Sequence, residues 1–166
     1  EGTSAGDANL DGEINVLDIV QIVNHILESA LLTDECAIGA ADFTADGDVN
    51  VLDIVNIVNI ILGGKTAADA TEATLINSGS SLLLKSNGYI GGIEMTLTHG
   101  EDFSLELSGN ALVSDYATKD GQTKVVIVVP EGEVLFTTTG DYTVADVLVA
   151  NSSSAVNVNQ ASKFEL

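Results

Sequence analysis

Residues 7–27 read DANLDGEINVLDIVQIVNHIL, and residues 42–62 read DFTADGDVNVLDIVNIVNIIL. Fourteen of the 21 positions are identical, at a constant offset of 35. Each copy opens with oxygen-bearing side chains at alternating positions around one glycine, then turns into an apolar run. Alternation in a tight loop aims oxygens at a common centre, and the glycine permits the left-handed turn that wraps the chain around an ion. Counted from its first aspartate, the first loop offers Asp7, Asn9 and Asp11 at positions 1, 3 and 5. Gly12 follows, then Glu13 at position 7, Asn15 at 9 and Asp18 at 12. The second loop offers Asp42, Thr44, Asp46, Gly47, Asp48, Asn50 and Asp53 in the same places. Position 7 of such a loop contributes its backbone carbonyl, so Glu13 and Asp48 are ligand positions that need not use their side chains.

The donor set is hard oxygen throughout, with no histidine or cysteine at the ligand positions. That chemistry predicts two Ca2+ sites, since magnesium asks for fewer protein ligands and stricter octahedral geometry. Several carboxylates crowded into one loop repel each other when no cation is present. Thr44 brings a hydroxyl where the first copy has an amide, which predicts a weaker second site. The alternative is a pair of Asp-rich turns that only cap helices. Two copies in register argue against it.

The helices expected over Val16–Leu27 and Val51–Leu62 carry more apolar surface than one buried face requires. A two-helix module of this size has too little mass to cover it all. A partner surface is therefore expected over Val16, Leu17, Val20 and Val23 in the first copy and Val51, Leu52, Val55 and Val58 in the second. The alternative is packing against the chain's own downstream domain.

After Gly63-Gly64-Lys65, which reads as a helix stop, the pattern changes from helix to strand. Short β-prone runs appear at Leu82–Leu84, Tyr89–Leu97, Phe103–Leu107, Lys124–Val129, Glu133–Thr137, Tyr142–Ala150 and Ala155–Val158, separated by Gly, Asn, Asp and Ser clusters. Ile93, Met95 and Leu97 alternate with Glu94, Thr96 and Thr98, giving one apolar and one wet face. Pro130 follows the VVIVV run, where it can end a strand. The expected fold class is α+β in two domains: a small all-α, EF-hand-like module and an antiparallel β-sandwich. The expected boundaries are 1–65 for the module, 66–73 for a linker or first edge strand, and 74–166 for the sandwich.

The tandem D-x-N-x-D-G-x-I-N-x-x-D-I-V…I-L segment, over about residues 5–64, resembles a type I-like dockerin, the duplicated calcium-loop-helix module that docks extracellular proteins onto cohesins. The resemblance implies calcium ligands at Asp7, Asn9, Asp11, Asn15 and Asp18, and at Asp42, Thr44, Asp46, Asn50 and Asp53. It also implies two similar faces, with recognition at loop positions 10 and 11. Those positions are Val16-Leu17 and Val51-Leu52 here, apolar where many cellulosomal dockerins carry hydroxyl residues. More weakly, GGIEMTLTHGEDFSLEL and GDYTVADVLVANSSS resemble segments of a cohesin or related jelly-roll sandwich. The implied partner is a cohesin-like β-sandwich, either of another copy of this chain or of a separate scaffold.

Charge and composition narrow the function classes further. The chain has 25 acidic residues against five lysines and a net charge of −20, which disfavours nucleic acid and anionic membranes as partners. Apolar runs such as Val125–Val129 are far too short to span a bilayer. Glu1 is no native start, so the chain reads as a processed protein or a fragment, and as secreted. Cys36 is the one cysteine, expected to be a buried inert thiol, the alternative being a bond between chains. His25 and His99 fall in different modules and share no site. No pair of carboxylates or activated nucleophile suggests catalysis, and without tryptophan or arginine the chain lacks the platforms of a typical sugar-binding face. Asn151-Ser152-Ser153 is formally an N-glycosylation sequon. The expected function is a non-enzymatic, calcium-binding docking subunit that self-assembles head to tail into an extracellular filament, with the terminal segment Ala155–Leu166 able to join a neighbour's sheet edge. The alternatives are an anchoring cassette of a larger enzyme or adhesin, and a carbohydrate-binding module with an attached dockerin.

Overall fold

Each apolar run of the repeat becomes a helix for a local reason. In the computed structural model, which describes residues 4–63 and 68–162 without the side chains of 161 and 162, α1 spans Val16–Ile26 and α3 spans Val51–Leu62. Asn15 caps α1 by accepting the Leu17 N–H at 2.9 Å, while the Asp18 carboxylate accepts the Asn15 N–H at 2.8 Å. Asn50 and Asp53 repeat that reciprocal box on α3 at 2.9 Å each. Gly63 ends α3 in the left-handed conformation, φ 75°, as expected; Gly64 and Lys65 lie outside the described residues. Between these helices lies α2, Glu35–Ala41, capped by Asp34. At seven residues it is too short for its periodicity to announce it.

Nine strands follow among the described residues: β1 Glu72–Asn77, β2 Ser81–Ser86, β3 Gly92–His99, β4 Ser104–Leu107, β5 Ala111–Lys119, β6 Gln122–Pro130, β7 Val134–Thr139, β8 Tyr142–Ala150 and β9 Asn157–Ser162. They form two sheets, ordered β4-β7-β2-β1-β9 and β5-β6-β3-β8. The two-domain α+β layout holds. Pro130 closes β6 as expected.

Three details differ from expectation. β5 was not foreseen, because the apolar residues of ALVSDYATK are clustered at Ala111–Val113 and Tyr116-Ala117 rather than alternating with polar ones. The sheets are not wholly antiparallel, since β9 pairs parallel with β1, from Glu72↔Asn157 to Asn77↔Ser162. The terminal segment therefore completes its own sheet, and its last residues, 163–166, lie outside the described residues. Cys36 is exposed rather than buried, because α2 buries only Ala37, Ala40 and Ala41.

Two hydrophobic cores result. One lies between the sheets and contains Leu75, Leu82, Ile93, Met95, Leu97, Val125, Ile127 and Phe136. The other contains Ile19, Ile22, Val23, Ile54, Val55, Ile57 and Val58 of the helices together with Val126, Val128 and Ala150 of the second sheet. Strand side chains alternate between faces. In the VVIVV run, Val125 and Ile127 thus point into the sandwich while Val126 and Val128 point out, beneath the helical module. A strand apolar on both faces is a strand covered on both faces.

Candidate calcium loops and docking faces

The two loops are built alike down to the backbone. Leu10 and Ala45, at position 4, both take φ 60°, and Gly12 and Gly47 both take φ 91°. Asp7 accepts from the backbone N–H of Asp11 and Gly12 at 3.2 and 3.0 Å, and Asp42 accepts from Asp46 and Gly47 at 3.2 and 2.9 Å. Asp18 reaches back to the Asn9 N–H at 3.1 Å, and Asp53 to the Thr44 N–H at 2.9 Å. In each loop three carboxylates converge: Asp7, Asp11 and Asp18, then Asp42, Asp46 and Asp53, with one oxygen from each lying within 4.8 Å of the others. Oxygens held at about 2.3–2.6 Å from one Ca2+ lie at most about 5 Å apart, so both clusters fit that ion in size and in chemistry.

The remaining candidate ligands divide by role. Asn15 and Asn50 spend their Oδ1 atoms on the helix caps described above. The Thr44 hydroxyl donates to Asp53 Oδ1 at 2.9 Å, so it reinforces a carboxylate of the second loop. Asn9 Oδ1 accepts the Asp11 N–H at 3.2 Å, and Asp11 and Asp46 accept from Glu13 and Asp48 at 2.9 Å each. Burial pushes the Asp53 carboxyl above its ordinary value, whereas the Asp48 N–H holds exposed Asp46 below it. Without a cation, the second loop therefore keeps a carboxylate at a cost that a bound cation would offset.

The α3 face rests on the second sheet. Gly91 and Gly92 form a flat seat: a Cβ on Gly92 would lie 2.3 Å from Val51 Cγ2, and one on Gly91 would lie 2.8 Å from Val55 Cγ1. Glu94 Oε1 accepts the Val51 N–H at 3.0 Å, covering the first turn of the helix. At the other end, Asn59 Nδ2 donates to the Ser152 carbonyl at 2.8 Å. These contacts separate the eight expected partner-binding residues. Val51, Val55 and Val58 are buried in the core shared with the sandwich, Val23 is buried in that same core, and Leu52 is half-buried at its margin. Those positions are thus covered within the chain, the alternative weighed for the apolar surplus. Val16, Leu17 and Val20 of α1 stay exposed at 37%, 55% and 37%.

Residues 5–62 match the dockerin type I domain family. The N-terminal segment is thus a dockerin-type module, about a third of the chain, and calcium is the ion its loops suit. No curated protein matches the chain. Among solved structures, the chain is similar to a non-cellulosomal cohesin from the hyperthermophilic archaeon Archaeoglobus fulgidus, at 14% identity and a TM-score of 0.34, over 58% of this chain and 86% of that one. Among the described residues, no helix is long and apolar enough to cross a membrane.

The seat of the dockerin-type module was missed in the sequence. Its signals were the Gly91-Gly92 pair ahead of an alternating strand and the unbroken apolar run of β6. Other candidates have structural roles. His25 Nδ1 accepts the Leu32 N–H at 3.0 Å. His99 stacks on Phe103 with centroids 4.1 Å apart, and its Nε2 lies 2.7 Å from Thr123 Oγ1. Asn151 is a poor glycan acceptor because it is buried, donates to the Ala70 carbonyl at 2.9 Å, and accepts from Ser153 and Ser154.

Burial raises the Glu94 carboxyl above its ordinary value, and nearby Asp146 and Asp53 add to the shift, against the Val51 N–H and Lys124. A carboxyl raised by folding stabilises the fold below its unfolded pKa and loses that contribution as pH rises through the folded one. In chelator, Glu94→Gln is therefore expected to raise the melting temperature at pH 7 and to leave it unchanged near pH 4. The glutamine Oε1 still accepts from Val51 without carrying a charge.

Proposed function

We propose that the chain is a secreted, non-enzymatic calcium-binding subunit with two calcium sites, the second weaker. Its dockerin-type module docks through α1 onto the β-sandwich of a separate scaffold while α3 is held by its own sandwich. The observation that carries this reading is the unequal use of two nearly identical helices. Leu17 is 55% exposed at the position where Leu52 is half-buried, and Val20 is 37% exposed where Val55 is 1% exposed. Exposed apolar side chains grouped on one face of a module of this kind suit a protein partner.

Head-to-tail assembly into a filament requires the seat on one copy to release its own α3 before receiving a helix from the next. The chain is accordingly expected to sediment as a monomer with calcium present. A calcium-dependent increase in sedimentation coefficient, reversed by chelator, selects the filament instead. Binding on a glycan array selects the carbohydrate-binding alternative.

The α1 face is tested by Leu17→Asp together with Val20→Asp. This variant is expected to lose calcium-dependent capture of the scaffold sandwich by at least about tenfold, in the range of an interface hot spot. Its melting temperature should match wild type, because both residues are exposed. Full capture by the variant sinks the assignment of this face.

A further inference from the structure

We infer that calcium in the second loop and the seating of α3 on the sandwich form one linked equilibrium, which the first loop does not share. This rests on the reading that the loops hold calcium. The linkage comes from a single helical turn that belongs to both structures. Within that turn, Asp53 accepts from Thr44 N, Thr44 Oγ1 and Asn50 N at 2.9 Å each, which joins it to the loop. Two residues earlier, Val51 gives its N–H to Glu94 and sets its side chain against Gly92. An ion that draws Asp42, Asp46 and Asp53 together also holds Val51 where the glycine seat receives it. A seat that holds Val51 reduces in turn the freedom the loop must lose to bind the ion.

The first loop makes the same internal bonds, Asn9 N and Asn15 N to Asp18 at 3.1 and 2.8 Å. Its helix, however, begins with Val16, which is 37% exposed. The two calcium sites are therefore nearly equal in ligands and unequal in what they control. The helix of the second loop starts against the glycine seat, whereas that of the first starts with an exposed valine, although its Ile19, Ile22 and Val23 share the same core. Linkage of this kind is reciprocal: a change on the sandwich, some 40 residues from the loop in sequence, must alter calcium affinity at the second loop by the same factor that calcium alters seating.

The test is a calcium titration of the full chain followed by the backbone amide resonances of Gly12 and Gly47. Each reports one loop, because each donates to the first aspartate of its own loop, at 3.0 and 2.9 Å. Gly92→Ala puts a methyl 2.3 Å from the stiff Val51 side chain without adding charge. It is expected to weaken calcium at Gly47 about tenfold, within the usual range for coupled sites, and to leave Gly12 unchanged. Asn59→Ala removes the distant bond to Ser152 without crowding the seat, and is expected to weaken Gly47 about threefold by the same linkage. Should Gly92→Ala fail to fold, Asn59→Ala carries the test alone. Equal weakening at both glycines, or none at either, overturns the linkage and leaves docking through α1 untouched. Loss of calcium response at both loops of the wild-type chain instead overturns the calcium reading itself.

Discussion

Replacing Asp53 with alanine is expected to destabilise the chain by about 3–5 kcal/mol in chelator, before any ion is considered. Asp53 is 0% exposed, and its two oxygens accept from the Thr44 N–H, the Thr44 hydroxyl and the Asn50 N–H. A hydrogen bond to a charged group contributes about 1.5–3 kcal/mol, and the loss of a helix cap costs about 1 kcal/mol. These terms do not add fully, because the loop relaxes and water reaches some of the stranded donors. Denaturant unfolding measures the loss. Asp46→Ala is the control: its carboxylate is exposed and accepts the Asp48 N–H at 2.9 Å, so the two variants separate a buried carboxylate from an exposed one. Similar stabilities for both would contradict the role given to Asp53. In calcium both variants should fall further below wild type, since the holo protein gains stability by mass action and each variant forfeits part of that gain.

Val55→Asp is expected to separate the dockerin-type module from the sandwich without unfolding the sandwich. Val55 is 1% exposed and lies against Gly91 and Gly92. An unpaired charge buried there would cost about 3–5 kcal/mol. The chain can avoid that cost by opening the contact, so the measured loss is capped by the free energy of docking. Burying Val51, Val55 and Val58 at about 1.5–3 kcal/mol each bounds the apolar part of that free energy from above. The sandwich keeps its separate core around Ile93, Met95 and Phe136. Calorimetry should therefore show two transitions where wild type shows one. Val20→Asp, the same change in the other copy, is expected to shift stability by less than about 0.5 kcal/mol because its site is exposed. A single cooperative transition in Val55→Asp would show that the two cores do not melt apart.

Much of this molecule was legible without coordinates because its signals are local. Ligand spacing and the position-6 glycine act within a dozen residues, and both long helices appear where the repeat put them, whereas Asn15 and Asn50, expected as ligands, turned out to cap the helices. The alternation of Ile93, Met95 and Leu97 likewise announced β3. Features that depend on distant partners stayed hidden. β5 is an edge strand whose apolar residues do not alternate, and the parallel pairing of β9 with β1 joins residues 85 apart. Gly91 and Gly92 fell inside the β-prone run Tyr89–Leu97, and nothing local marked them as the seat of α3.

The sequence alone announces two acidic loops with the spacing of calcium ligands, each feeding a helix with more apolar surface than one buried face requires. It could not determine which helix is covered. Val16 and Val51, Leu17 and Leu52, Val20 and Val55, and Asn24 and Asn59 are pairwise identical, so these residues carry no local preference that separates the copies. The tertiary structure decided it. Only α3 meets a sheet face whose glycines admit a helix and whose Glu94 receives the first turn. The same two valines are therefore buried in one copy and exposed in the other.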